Sequence, residues 1–256
     1  MKTIVYQSIC PDQIPDWIQT CLESVRNWSQ QQNYDYALIG DEIFSIIPEW
    51  YWQKTCHQKV IATDLGRLLL AKQFLQEGYD RAIWFDADVL IFAPELLTIS
   101  ITQEYAFGKE VWIQYKNKQL KAYPKVHNAV CIFCQGNSFL DFYIHACQRI
   151  IKNFQGTQMV PQLVGPKFLS VLHNTMQLPL IEEVAMFSPL VLQDILNGGG
   201  EALKLHQQTQ NSPIYAANLS SSLAEKEEGL SEEKYKKVTK ILLKYSNQTL
   251  KRLSYS

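Results

Sequence analysis

The sequence predicts an α/β fold with a Rossmann-like, mostly parallel central sheet flanked by helices. Three runs rich in apolar and β-branched residues, at 2–9, 36–39 and 81–92, are separated by stretches whose apolar residues recur at helical spacing. Strand, helix, strand, helix, strand is the order that covers both faces of a parallel sheet. At 256 residues and 46% hydrophobic, the chain can bury a large core as one domain with a small appendage.

The elements follow in order. Residues 2–9 read as a buried first strand. Pro15 opens an amphipathic helix whose apolar side is Trp17, Ile18, Cys21, Leu22, Val25 and Trp28. A second strand at 36–39 is closed by Gly40-Asp41. The spacing predicts a helix over 64–77, with Leu65, Leu68, Leu69, Phe74 and Leu75 inward and Gly78 as its stop. Further on, strands are expected near 111–115, 129–134 and 183–187, with helices over 138–154 and after Pro166. NGGGE at 197–201 is expected as a mobile turn, because three successive glycines do not stabilise an element.

The net charge of −1 argues against a general nucleic-acid binder, but the charge is unevenly placed. Seven Lys/Arg and no acid follow Glu233, so setting them apart from the overall −1 leaves a body of −8. Near the amino terminus only TIVYQSIC is apolar and Pro11 follows at once, which is not a secretory or spanning segment. A cytoplasmic location is therefore expected, with the six cysteines reduced. Cys131 and Cys134 form a C-x-x-C inside a strand, where positions i and i+3 face opposite ways, and no second pair accompanies them.

In RAIWFDADVLIF, residues 81–92, two aspartates interrupt a strand-forming run. On strand alternation Asp86 and Asp88 point the same way, about 6.6 Å apart along the backbone, and can share one small ligand. Two carboxylates on one face repel, and a hard divalent cation, Mn2+ or Mg2+, relieves the repulsion while keeping positions open for phosphate oxygens. Ligands of open α/β sheets bind beyond the carboxyl ends of strands, which makes DAD the functional tip of RAIWF; solvated turn acids between two strands are the other reading of the pair.

YDRAIWFDADVLIFAPELL resembles the metal-binding segment of retaining GT-A glycosyltransferases, the glycogenin-like family above all. ATDLGRLLLAK, HNAVCIFCQGNSFL and VGPKFL resemble segments of the capsule-type DXD sugar-transferase family. The resemblance implies a nucleotide-diphosphosugar donor, most often a UDP-sugar, and a divalent cation bridging protein and diphosphate. It further implies that Asp86, Asp88 and Arg67 are catalytic, that Asp86 and Asp88 hold the metal, and that the donor is bound by Asp64, Arg67, Asp86 and Asn128; Gln7 and Ser8, ending the first strand, are added to the donor-binding set on the sheet-end rule. Asp64 and Arg67 share a helical turn and can grip donor hydroxyls and diphosphate; an i, i+3 surface ion pair is the other reading of that spacing. Gly165-Pro166 is expected to shape a helix start.

The chain departs from both families at the end of the site. In place of a His near Trp it reads YAANLSSSLA, so Asn218 is taken as the third metal ligand, with Ser220 and His206 as further candidates. Retention and inversion are both open on residues alone: inversion needs a carboxylate base, for which Asp141, Asp194, Glu182 and Glu183 are the acids considered. The family likeness favours retention. A non-catalytic nucleotide-sugar-binding protein and a haloacid-dehalogenase-type phosphatase are the rival readings. The latter lacks its downstream acidic pair, since Asp141 and Asp194 stand apart.

The division expected is a GT-A domain over 1–222, then a hinge and a basic amphipathic helix over 223–256. In the tail Tyr235, Val238, Ile241, Leu242, Tyr245 and Leu253 recur at helical spacing among lysines. That stripe either packs on the domain or rests on an anionic membrane, which would suit a lipid-linked acceptor. Glycan and protein acceptors are the other partners considered.

Overall fold

The computed structural model describes residues 1–223 and 230–245. The expected hinge runs through 224–229, and Lys251, Arg252 and Leu253 fall in 246–256; both stretches lie outside the described residues.

The chain opens with β1 (Thr3–Ser8), α1 (Asp16–Gln31) and β2 (Asp35–Ile39), followed by a 3-10 turn (Asp41–Phe44), α2 (Glu49–Thr55), α3 (Lys59–Gln76) and β3 (Arg81–Phe85). β1 lies between β2 and β3 and pairs with both in parallel, as the alternating order of strands and helices requires. Beyond β3 the order changes. A short β4 (Val89–Ile91) leaves the main sheet, and β5 (Tyr105–Lys116) and β6 (Gln119–Cys134) form a long hairpin. β6 pairs antiparallel with β3, so the six-stranded sheet runs β2-β1-β3-β6-β5-β7, its last strand being β7 (Leu180–Ile181).

α4 (Leu140–Asn153) and α5 (Pro166–Met176) precede β7. β8 (Val184–Met186), α6 (Pro189–Asn197), α7 (Glu201–Thr209) and β9 (Ala216–Asn218) follow it, and β4, β9 and β8 make a second, three-stranded sheet. α8 (Glu232–Tyr245) ends the described chain. The α/β architecture with a mixed, mostly parallel central sheet is thus as the sequence predicts. No described helix is long and apolar enough to cross a membrane.

Three buried clusters hold these layers together. One lies under α2, α3 and α4 around Tyr6, Leu65, Leu68 and Trp84; a second lies under α1 around Val5, Trp28 and Phe85. The third joins α1, α6, α7, α8 and the hairpin around Val111, Ile113 and Leu192. In it the Trp17 and Tyr235 rings stack at 4.3 Å, and Val238 and Leu242 are fully buried. The apolar stripe of α8 therefore packs on the body, and Lys234, Lys236, Lys237 and Lys240 face outward. Stacking of this kind adds about 0.5–1.5 kcal/mol to the area buried.

Several expectations are corrected. α3 starts at Lys59, five residues before Asp64. Thr63 lies inside the helix, its hydroxyl donating back to the Lys59 carbonyl at 3.0 Å. The strands expected near 111–115 and 129–134 are parts of one hairpin, turned at Asn117-Lys118 where φ is 52° and 62°. Positive φ at both central residues is the geometry that suits the twist of a two-residue hairpin. The three glycines form a defined joint: Gly198 (φ 83°) ends α6, and Asp194 accepts the Leu203 N–H of α7 at 3.0 Å.

Candidate functional site

Every residue of β3 is buried, and its last sheet bond is donated by Asp86 N–H to the Ala129 carbonyl at 2.8 Å. The Asp86 carbonyl then accepts from Val89 N–H at 3.1 Å and from the Gln7 side-chain amide at 3.1 Å. Asp86, Ala87 and Asp88 are thus a turn, the joint at which the chain passes from the six-stranded sheet to β4 in the three-stranded one. Strand alternation does not extend through a turn, so the expected same-face geometry is replaced by two separately held carboxylates.

Asp86 is held from the side of α3. Its Oδ1 accepts from Arg67 at 2.9 Å and from the Trp84 indole N–H at 2.6 Å, while its side chain keeps 27% of its surface exposed. Arg67 is enclosed: it also donates to the Asn128 carbonyl at 2.7 Å, pairs with Asp64 at 3.0 Å and lies 4.6 Å over the Trp84 ring. Burial alone would lower the Arg67 pKa, but Asp86 and Asp64 outweigh it and raise it, so the guanidinium stays charged.

Asp64 is buried, and burial pushes its carboxyl up to about 6 against the opposing pull of Arg67 and the Asn128 amide, which donates to Asp64 Oδ1 at 2.7 Å. Its Oδ2 has no partner among the described residues. Gly165 lies directly opposite, where a Cβ would come within 2.7 Å of that oxygen and 2.9 Å of the Asn128 amide nitrogen. Besides opening α5, Gly165 therefore lets the backbone pack closely on Asp64 and Asn128, where a side chain would not fit.

Asp88 is held from the other sheet. Its Oδ1 accepts from the Asn218 amide at 2.5 Å and its Oδ2 from Ser221 N–H at 2.8 Å. Burial, then the nearby Asp86 charge, push its pKa up to about 6. The Asn218 oxygen accepts from Ser220 N–H at 2.8 Å, and Ser220 takes the left-handed conformation (φ 56°) that closes this loop on the carboxylate.

The structure thus brings Gln7, Asp64, Arg67, Asp86 and Asn128 into one connected network and sets Asp88 with Asn218 beside it. Gln7 is fully buried, with its amide oxygen accepting from Tyr36 at 3.0 Å; Ser8 is half-buried at the end of β1. His206 is not brought to the carboxylates: it is buried edge-on against Phe187, its pKa lowered to about 4 by burial. Among the described residues no group of three or more His, Cys, Asp or Glu gathers as a metal cluster.

Trp84, Tyr36 and Ser221 are the contacts that sequence reasoning missed. A Trp two positions before the first aspartate was the available signal for one of them, since same-face neighbours on a strand lie within reach of a long side chain.

The donor set fits a hard cation only in part. Asp86 keeps Oδ2 without a described partner; Asp88 is a second carboxylate, each of whose oxygens already accepts one hydrogen bond, and the Asn218 oxygen is likewise engaged. Two carboxylates with the remaining positions left to water and phosphate is a normal arrangement for Mg2+.

No protein-family model matches the sequence, and no curated protein sequence matches it. Among solved structures, a glycosyltransferase involved in glycosylating the major capsid of PBCV-1 aligns over 94% of this chain and 100% of its own, with a TM-score of 0.47 and 9% identity. Mouse xyloside xylosyltransferase 1, in its apo form, aligns over 86% and 98%, with a TM-score of 0.43 and 7% identity. The glycosyltransferase GlyE of Streptococcus pneumoniae TIGR4 aligns over 96% and 63%, with a TM-score of 0.43 and 10% identity. At this distance the likenesses carry no assignment of family, substrate or residue role.

Proposed function

We propose that the protein is a metal-dependent glycosyltransferase of GT-A architecture, moving a sugar from a nucleotide-diphosphosugar, a UDP-sugar, to a glycan, lipid-linked or protein acceptor. The observation that carries this reading is the pair of like-charged carboxylates, Asp86 and Asp88, at the carboxyl end of a central strand. That is the edge at which α/β sheets bind ligands.

Asp86 and Asp88 would hold Mn2+ or Mg2+, which when bound stabilises the negative charge shed onto the departing diphosphate. Arg67 acts through Asp86: its enclosed guanidinium fixes the Oδ1 edge of that carboxylate and leaves Oδ2 outward. Asn218 does the same for Asp88. Asp64, with its free buried oxygen beside Gly165, accepts a donor hydroxyl, and Asn128 fixes its orientation. Gln7 braces the joint through the Asp86 carbonyl, and the end of β1 at Ser8 faces the nucleotide.

Retention is part of the proposal, with a diphosphate oxygen taking the acceptor proton. In support, the four acids considered as inverting bases are otherwise engaged. Asp141 pairs with Lys72, Glu182 with Lys109, Asp194 caps α7, and Glu183 accepts the Glu182 N–H. Asp141 and Asp194 also lie on α4 and α6 rather than beside Asp86, which disfavours the phosphatase reading. A cytoplasmic location, with the outward lysines of α8 against an anionic membrane, completes the proposal.

A binding protein without transfer is the second reading, favoured by the engaged oxygen of Asn218. Slow release of UDP from a UDP-sugar with Mn2+, abolished in Asp88→Ala, supports the transferase. Binding of the sugar nucleotide without release supports the second reading, and an absence of both rejects the two together.

A further inference from the structure

The β5–β6 hairpin continues past the end of β3 into the region beyond the Asp86 turn. Phe85, the last residue of β3, pairs with Val130, whereas Gly108 pairs with His127, Glu110 with Lys125 and Trp112 with Tyr123. Since side chains alternate, His127, Glu110, Lys125, Trp112 and Tyr123 share one face of the hairpin.

Glu110 is the unusual member. It is 6% exposed, yet takes no hydrogen bond or ion pair from any described residue, and Lys125 opposite is exposed to solvent. Burial pushes its carboxyl up to about 7. Its oxygens are not enclosed, so the carboxyl edge opens onto this face and is available to a ligand's donors. The two residues beyond it, Trp112 and Tyr123, are half-buried aromatics directly opposite each other, so the face carries both ring surface and an acceptor group lacking donors.

The buried His127 ties the start of this face to the backbone of the Asp86 turn. A Cβ on Gly108 would collide with the His127 ring, so the imidazole occupies the space over that glycine, next to Glu110 along the strand. The same ring accepts the Ala129 N–H at 3.1 Å, and the Ala129 carbonyl accepts the Asp86 N–H at 2.8 Å.

We propose that Glu110, Trp112 and Tyr123 form the acceptor subsite, taking a sugar whose apolar ring face lies on the aromatics and whose non-reacting hydroxyls donate to the Glu110 carboxylate. A pyranose presents both chemistries at once, an apolar face and an edge of hydroxyl donors, and pockets combining aromatic surface with a few placed polar groups are the usual solution. The assignment deepens the transferase reading and rests on it for the occupant's role.

The test uses the full chain without donor. Maltose, cellobiose, lactose and chitobiose are offered at millimolar concentration, and binding is followed by saturation-transfer NMR. At least one binds the parent, and Glu110→Gln and Trp112→Ala each weaken it tenfold or more while manganese-dependent UDP binding is kept. Tyr123→Ala replaces Trp112→Ala if the latter fails to fold. Unchanged disaccharide binding in the folded variants, or none by the parent, overturns the subsite. Failure of the parent to bind UDP with manganese defeats the transferase reading alone, because the disaccharides are measured without any nucleotide.

Discussion

Asp86 and Asp88 are two residues apart, yet each is secured by a different sheet system. Arg67 and Trp84 grip the first from the α3 side, and Asn218 and Ser221 grip the second from the end of β9. Their separation is therefore set by tertiary packing rather than by the pleat of a strand.

Replacing Asn218 by Asp removes the donor to Asp88 and adds a third carboxylate. Without metal the variant is less stable by about 1–3 kcal/mol, the usual cost of an unsatisfied buried group. With millimolar Mn2+ its thermal midpoint rises further than that of the parent, because ligand binding to the native state stabilises by mass action. Calorimetry with and without the ion measures both; equal shifts in the two proteins would falsify the placement of the cation at Asp88.

Arg67→Ala strands two carboxylates, Asp64 and Asp86, and costs about 3–5 kcal/mol. Arg67→Lys recovers only part of it, since a point charge cannot reach Asp64, Asp86 and the Asn128 carbonyl together. Urea titration gives the difference. A loss below about 1 kcal/mol is within the range of exposed pairs and shows that the enclosed pairing contributes little.

Gly165→Ala places a methyl 2.7 Å from the free oxygen of Asp64. The expected outcome is a lower thermal midpoint, since the held Asp64 and Asn128 side chains must shift, with donor affinity reduced about tenfold, equal to about 1.4 kcal/mol. Titration with UDP-glucose and other UDP-sugars reads it, and unchanged affinity for every bound sugar nucleotide removes Asp64 from the donor site.

The pH dependence of stability has two opposed parts, and Asp64 and Asp88, each raised from 3.8 to about 6, share the first with Glu110, their contribution being lost as pH rises through 6. Glu110 rises from 4.5 unfolded to about 7 folded, so the folded state holds the extra proton. Its contribution is complete below pH 4.5 and is lost as pH rises through 7. Glu110→Gln removes that loss and is more stable than the parent at pH 8 by about 1–3 kcal/mol. His127 and His206 act the other way: burial lowers both to about 4, so stability falls as pH drops from 6.5 toward 4. Urea unfolding at pH 5, 6.5 and 8 separates the two; a Glu110→Gln profile parallel to the parent's rejects Glu110's share of the first.

The outward lysines of α8 carry the proposed membrane contact. Lys237→Glu with Lys240→Glu weakens sedimentation with phosphatidylserine vesicles and leaves stability unchanged, because both side chains point away from the core. Equal binding to neutral vesicles removes the membrane role.

The sequence is most legible where one periodicity holds along an entire element. α1 shows this in its stripe from Trp17 to Trp28, and β3 in its unbroken apolar run. It is least legible where a side chain's partner is distant in the chain. Thr63-Asp64 reads as a helix start, but Asp64 is needed by Asn128, 64 positions on. The hairpin is obscured by Pro124 and by lysines on its solvent side, and Glu110 among them reads as one more surface charge. That Asp86 and Asp88 belong to a turn was hidden for the same reason, as the bonds that define it come from Gln7, Ala129 and Ser221.

The stack of Trp17 on Tyr235 has a bearing on biosynthesis. The first helix made is sealed in part by the last one described, so the indole face that stacks on Tyr235 stays uncovered during translation until some 220 further residues have left the ribosome. Slow-growth conditions that lengthen that interval should increase the demand for chaperones that shield aromatic surface, and replacing Trp17 with a smaller residue should lessen it at the cost of a looser finished protein.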